Sequence, residues 1–332
     1  MKLSQSDART QSHSSADIEK PDVVYLWVDG NDPTWQARRR QYALLHPDVV
    51  TFGYSNVDGR FRDIGELKYS LRSLSRHLDS IGTIHLVTDD QRPRWLVDHP
   101  QLRLVSHRDM RAEAGPTFSS ICLEASIHRI PDLSERFIYL NDDLFLGEHF
   151  SVGHLFSDDG RFKIYFDDET GQSAHQDPYA WHCIHAAISK SILAQAVDDY
   201  VHYDVGFAHT PRAFSTSAIH QFERLFPEAY ASARAEVFRA CKTPSVLVDM
   251  HQRWLHTTGS ASIANAPLRL IHSHAADLQK RLDDLVTASP QLAFFCINDT
   301  LDNASDDHPA FAKIQQTLEI LFPMPSPFEI AG

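Results

Sequence analysis

No stretch of this chain is apolar for long enough to cross a bilayer, so nothing in it reads as a membrane span. The first twenty residues are polar and Ser-rich, without the apolar centre of a secretory signal, and residues 1–20 read as a disordered tail. Cysteine is scarce. Cys122, Cys183, Cys241 and Cys296 are scattered with no paired spacing, which argues against a zinc ribbon or a disulfide framework. Free thiols suit a reducing compartment, so a cytoplasmic protein is expected. Basic charge is also short, with 31 Lys and Arg against 44 Asp and Glu for a net charge of −13, which argues against nucleic acid as the main partner. An anionic ligand stays compatible, since local Arg or a metal can reverse the field. Internal repeats and low-complexity linkers are missing too. A length of 332 residues with 42% hydrophobic residues therefore favours one domain over residues 21–330.

What is present is a run of buried-strand patterns that each end in acids. Phe137 to Leu140 is apolar and stops at Asn141, Asp142 and Asp143. The pattern Asp22 to Val28 stops at Asp29, Gly30, Asn31 and Asp32, and Thr83 to Thr88 stops at Asp89 and Asp90. Leu292 to Ile297 stops at Asn298 and Asp299. Between them lie helical spacings: one starting at Pro33, Glu66 to Leu78, Ser119 to Ile130 and Pro309 to Leu321. This alternation predicts an α/β fold with a largely parallel central sheet flanked by helices. Right-handed crossovers then put successive strand ends on one edge, so Asp29, Asp89 and Asp142 should meet there. The stretch from about 176 to 290 reads as an inserted helical portion, with helices at Ala180 to Val197, Ser217 to Leu225 and Ser232 to Ala240.

Each polar cluster also has an ordinary explanation. Asp63 and Glu66 suit the start of a helix through its dipole, and Arg72 and Arg76 suit a solvated helix face. Asp89 and Asp90 fit a turn as well as a site. His128 among apolar neighbours fits a core histidine. With 20 His in the chain, His182, His185, His272 and His274 are weak metal candidates. Trp27, Trp35 and Trp95 read as core anchors. Asp142 and Asp143 differ, because adjacent acids after a buried strand are costly unless paired or metal-bound.

Four segments together resemble the Stealth family of sugar-phosphate transferases. They are Asp22 to Pro33; Arg62 to Ser73 continuing through Ile84 to Leu96; Pro116 to Ser120 with Glu124, His128 to Ile130 and Phe137 to Asp143; and Phe295 to Asp299 with the trailing Leu321 to Glu329. Phe207 to Pro211, Leu225 to Glu228 and Phe238-Arg239 are similar to the family as well. One departure is Cys241-Lys242, where the family often has an acid.

The resemblance implies a nucleotide-sugar transferase layout of the GT-A kind. It implies transfer of a hexose 1-phosphate from a nucleotide-sugar, with UDP the favoured nucleotide, to a sugar hydroxyl, giving phosphodiester-linked capsule or exopolysaccharide and a nucleoside monophosphate. A metal-dependent glycosyltransferase releasing nucleoside diphosphate and a non-catalytic nucleotide-sugar or glycan-binding module are the alternatives. Negative charge that builds on transferred and leaving phosphates must be met by cations, and the acceptor hydroxyl needs a base. Asp142 and Asp143 suit either base or Mg²⁺ (or Mn²⁺) ligands and are not apportioned by sequence. Asn298 and Asp299 would complete an oxygen-rich metal shell. The resemblance places His209 and Arg239 in the active site, with Arg239 suited to phosphate. Asp29, Gly30, Asn31, Arg62, Asp63, Glu66 and Asn141 are the candidate substrate-binding residues. Partners are then a nucleotide-sugar donor and a glycan acceptor, with room for peripheral association with a membrane export complex at the inner face.

Overall fold

A computed structural model of the chain describes residues 20–330 apart from 51–55, 79, 112–114, 149, 167–180, 199, 201–205, 241, 266–267 and 306. The expected tail at residues 1–20 therefore lies outside the described residues except for its last. In chain order the strands are β1 Asp22–Leu26, β2 Ile84–Thr88, β3 Leu102–Ser106, β4 Arg136–Asn141, β5 Leu144–Leu146, β6 Phe162–Ile164, β7 Arg212–Ser215, β8 Ala261–Ile263, β9 Leu268–His272 and β10 Phe294–Asn298. The main sheet has the order β3-β2-β1-β4-β7. Its first four strands are parallel and β7 is antiparallel to β4. Helices pack on its faces, so β1, β2 and the inner part of β4 are buried, which is why they read as continuous apolar runs.

The parallel register puts the carboxyl ends of β1, β2 and β4 together, with Leu26 opposite both Val87 and Asn141. Asp29, Asp89 and Asp142 thus share one sheet edge, as the crossover rule requires. At the opposite edge Asp22 ties the strand starts together. Its carboxylate accepts from Thr83 N at 2.6 Å and Ser134 N at 2.9 Å and pairs with His85 at 3.0 Å.

A second sheet, β5-β10-β9, begins where the first ends. The chain leaves the main sheet at Asn141 and enters the second at Leu144, so Asp142 and Asp143 are the junction. The helix Glu66–His77 covers this passage with buried Leu67, Leu71 and Leu74. Two of its small residues satisfy backbone groups of β5: Ser70 Oγ donates to Leu144 O at 2.5 Å, and Leu146 N donates to Ser73 Oγ at 3.0 Å. Phe145, Phe295 and Phe322 stack behind β5 and β10.

Several sequence expectations change. The segment Ser119 to Ile130 is not one helix but the short helix Ser120–Glu124 and a separate turn Ile127–Arg129. The helix expected at Ser232 to Ala240 lies earlier, at Pro227–Arg234, because Pro227 starts it at its favoured first position. The stretch 176–290 carries β7, β8 and β9 besides helices, its strands being too short for period-2 patterning to register. Arg72 is not solvated. It is buried and forms a bidentate pair with Glu329, at 2.9 and 2.8 Å, while donating to Phe322 O at 2.8 Å. This clamp fastens the proline-rich end, whose Phe322 and Phe328 are buried. No helix among the described residues is long and apolar enough to cross a membrane.

Candidate active site

Asp143 stands at the seam between the two sheets, with partners from β10 of the second sheet and from the segment that leads into β7 of the main one. Its backbone O accepts from Ile297 N of β10 at 3.2 Å. Its carboxylate accepts from the Cys296 thiol at 3.3 Å and pairs with His209 Nε2 at 3.2 Å. The Asp143 side chain keeps 18% of its surface open and His209 keeps 30%, so a ligand can reach both. Burial opposes ionisation of Asp143, yet His209, the Cys296 thiol and the Arg60 guanidinium hold its carboxyl below the ordinary range. Asp142 goes the other way. Burial, the charge of Asp143 and then Asp63 push it well above. The two neighbouring carboxyls are thus pushed in opposite directions, Asp143 down and Asp142 up.

Behind Asp142 lie two further acids. Asp63 accepts from Gly65 N at 2.7 Å and from the Trp27 indole at 3.1 Å, and Glu66 accepts from Ile64 N at 2.7 Å. Burial raises both, Glu66 strongly, with help from Asp63 and Asp142. They do not cap their helix through side chains; its N-cap is Gly65 in the left-handed region at φ 102°. Asp29 lies near Asp63 and adds to its rise. The Asp29 carboxylate itself accepts from Asn31 N at 2.9 Å. Asn141 lies beside Tyr139, its amide 3.5 Å from the phenol oxygen.

Gly30 turns out to serve packing. A Cβ there would stand 2.2 Å from Phe61 O, and Gly30 N donates to that oxygen at 2.7 Å. Gly59 is hemmed in likewise by the carbonyls of Asp299 and Leu301, each 2.8 Å from where its Cβ would be. Two glycines thus let the segment Asp58 to Arg62 thread between β1 and the end of β10. That threading sets Arg60 toward Asp143, Cys296 and Asp299. Arg62, expected to meet substrate, is instead held in a buried pair with Asp299 at 2.5 Å and lies over the Phe311 ring at 4.8 Å. Its position two residues on from Arg60 points it into the core. Asp299 is engaged at both oxygens, by Arg62 on one and by Ser273 Oγ and Leu301 N on the other. A cation drawing on Asp299 would have to displace these partners. Asn298 is next to it at the end of β10, its carbonyl accepting from Ser273 N.

Arg239 is buried and donates to Ser120 Oγ at 2.9 Å. Burial and nearby Arg60 lower it to about 10, so it stays charged at neutral pH. Glu124 faces Arg239, Arg212 and His209, and accepts from Tyr139 OH at 3.1 Å. Burial raises its carboxyl despite those cations. Arg60 and Arg212 were not singled out from the sequence, and Glu124 entered only as part of a family motif, with no role given to it. A lone acid amid Ile121, Cys122, Leu123 and Ala125 was a usable signal for Glu124. Arg60 carried none. Asp89, although on the same edge, pairs with Arg38 and belongs to a neighbouring hollow.

The carboxylate Oδ, imidazole N and thiol S of Asp143, His209 and Cys296 lie within 4.8 Å of one another. Burial and Asp143 push the Cys296 thiol well above its usual range. The crowded carboxyls fit a hard divalent cation on oxygen better than a soft one on sulfur.

Models of the Stealth proteins match the chain in order: conserved region 1 at residues 22–45, region 2 at 60–164 and region 4 at 284–332. Among curated proteins, exopolysaccharide phosphotransferase SCO6023 of Streptomyces coelicolor is 34% identical over 318 residues, covering 94% of this chain and 53% of that one. Exopolysaccharide phosphotransferase CpsY of Mycobacterium tuberculosis H37Rv is 30% identical, covering 97% of this chain and 60% of that one. The chain thus spans about half the length of these curated relatives. A solved structure of the galactosyltransferase LgtC with donor and acceptor sugar analogs aligns at a TM-score of 0.44 and 12% identity, covering 92% of this chain and 97% of that one.

Proposed function

The chain belongs to the Stealth family, and from that premise and the geometry above we propose that it transfers a hexose 1-phosphate from a nucleotide-sugar to a glycan hydroxyl. The family's exopolysaccharide phosphotransferases support the reaction class. The observation that carries the reading is Asp143, its carboxyl held below the ordinary range, paired with His209 and set against the half-buried Arg60 and the buried Arg239. Residues 21–330 act as one catalytic unit.

In this reading the donor pyrophosphate lies over Asp143, His209, Arg60 and Arg239. The acceptor oxygen attacks the phosphorus that carries the sugar. A new P–O bond forms to the acceptor, and the bridging P–O bond breaks with its electron pair leaving on the nucleoside monophosphate. The hydroxyl proton passes to the Asp143–His209 pair, which lies at the open end of the cleft. Arg60 and Arg239 meet charge growing on the transferred and leaving phosphates in a partly desolvated site. Glu124 keeps Arg239 and Arg212 oriented. A Mg²⁺ or Mn²⁺ held by Asp143 and Asp142, with Asn298 and Asp299 flanking, would neutralise phosphate charge. Asp29, Asn31 and Asn141 line the strand-end side where the donor's nucleoside part would rest.

Incubation with a UDP-sugar, Mg²⁺ and an oligosaccharide acceptor tests this. The expected product pair is UMP and a phosphodiester-linked glycan. Release of UDP with a plain glycosidic product would replace the reading with glycosyl transfer.

A further inference from the structure

A hollow of about 110 Å³ opens at the carboxyl ends of β2 and β3, room for several water-sized groups. Arg38, Asp89, His107, Arg108, Arg111, Gly115 and Pro116 line it. Its charges do not cancel. Arg38 is matched by Asp89, and the exposed Arg108 is matched by Asp90 at 3.2 Å. Arg111 is different. It is 9% exposed and donates to the carbonyls of Gly115 and Arg234, each at 3.3 Å. Among the described residues no carboxylate pairs with it. Its Nε has no partner, and neither does Nε2 of His107, which is 7% exposed. Buried charges are normally paired, because an uncompensated one carries a large desolvation penalty. A buried guanidinium with only neutral partners, beside an unused imidazole nitrogen, is suited to receive an anion.

We propose that this hollow binds a phosphodiester of the acceptor chain. The inference rests on the phosphotransfer reading above. There the donor's two phosphates occupy the Asp143 and His209 region at the end of β4. The hollow is two to three strands away along the same edge, roughly 10–14 Å at the usual strand spacing. A phosphate bound there is a further one, beyond the donor pair. In a polymer built by this reaction, the acceptor carries such a group one or two sugar units behind its reacting hydroxyl. The planar guanidinium of Arg111 suits two phosphate oxygens of a diester.

The test compares two oligosaccharide acceptors of equal length, one neutral and one with an internal phosphodiester. Wild-type enzyme should show the lower KM for the phosphodiester acceptor. Arg111→Gln should raise that KM by about tenfold, the loss expected for one charge-assisted contact, with kcat and the neutral acceptor's KM unchanged. Arg111→Lys should restore part of it. Arg108→Gln, at an exposed position, should shift the same KM in the same direction by a smaller factor and covers the event that Arg111→Gln misfolds. Equal KM values for the two acceptors in wild type, or equal losses on both in the variants, would overturn the proposal. Calorimetric titration of the phosphodiester glycan without donor separates this from the parent reading. Binding to wild type but not to Arg111→Gln upholds the hollow even if no UMP is released. Binding of inorganic phosphate with none of the diester overturns the acceptor assignment.

Discussion

Asp143→Asn separates chemistry from folding. The substitution keeps the shape and an acceptor oxygen but removes the charge of a carboxyl that its partners hold below the ordinary range. Its partners in the fold are modest: one His at 3.2 Å and one thiol at 3.3 Å, on a side chain that retains 18% exposure. Weakening two such contacts costs about 1 kcal/mol of stability, or a few degrees of Tm in a domain of this size. The loss of the proton acceptor should instead cut kcat by about 10²–10⁴-fold, equivalent to roughly 3–5 kcal/mol of barrier. The assay is UMP release at saturating donor, alongside thermal melting and far-UV circular dichroism. Turnover within a factor of three of wild type would remove Asp143 from the proton path. A Tm loss beyond about 10 °C would show that the residue is structural and that the partition argued here is wrong.

Other expectations follow from the same contacts. Arg60→Gln should lower kcat by about 10²-fold or more, whereas Arg62→Gln, which strips the buried Asp299 of its partner, should cost roughly 3–5 kcal/mol of stability; paired kinetics and urea melts would show the reverse ranking if the two roles are misassigned. Chelation with EDTA should abolish UMP release, and Mg²⁺ or Mn²⁺ should restore it; full turnover in chelator would count against the cation. His251 is fully buried and burial pushes it down to about 3. Below pH ~6.5 the unfolded chain gains a proton that the native ring refuses, so this histidine lowers stability progressively as pH falls toward 3 and costs nothing above 6.5. Between pH 6.5 and 4.5 the loss is about 2–3 kcal/mol, and His251→Phe should remove it in urea titrations; an unchanged acid limb would refute the assignment.

Local pattern carried much of the architecture. The apolar runs at β1, β2, β4 and β10 were legible because strands buried on both faces admit few polar residues. Their acidic ends were legible for the same reason, since the pattern breaks where burial stops. Pro309–Leu321 was readable from its proline start and helical spacing. The segment around Ile121 was not. Its apolar residues suited a long helix, but the chain there turns to bring Glu124 beneath Tyr139, and no local signal encodes that turn.

The sequence by itself determined which residues end strands, and therefore that Asp29, Asp89 and Asp142 share an edge. It also named Asp142 and Asp143 as a pair that needs neutralising. Only the tertiary structure decided which way each carboxyl is pushed, Asp142 up and Asp143 down. That depends on His209, 66 residues from Asp143, and on Cys296, 153 residues away. It likewise set Arg60 toward Asp143, paired Arg62 with Asp299 and sent Asp89 to a separate hollow. The physical reason is one of range: hydrophobic periodicity is written between near neighbours, whereas the charge state of a buried carboxyl is set by whatever distant segments the fold packs against it.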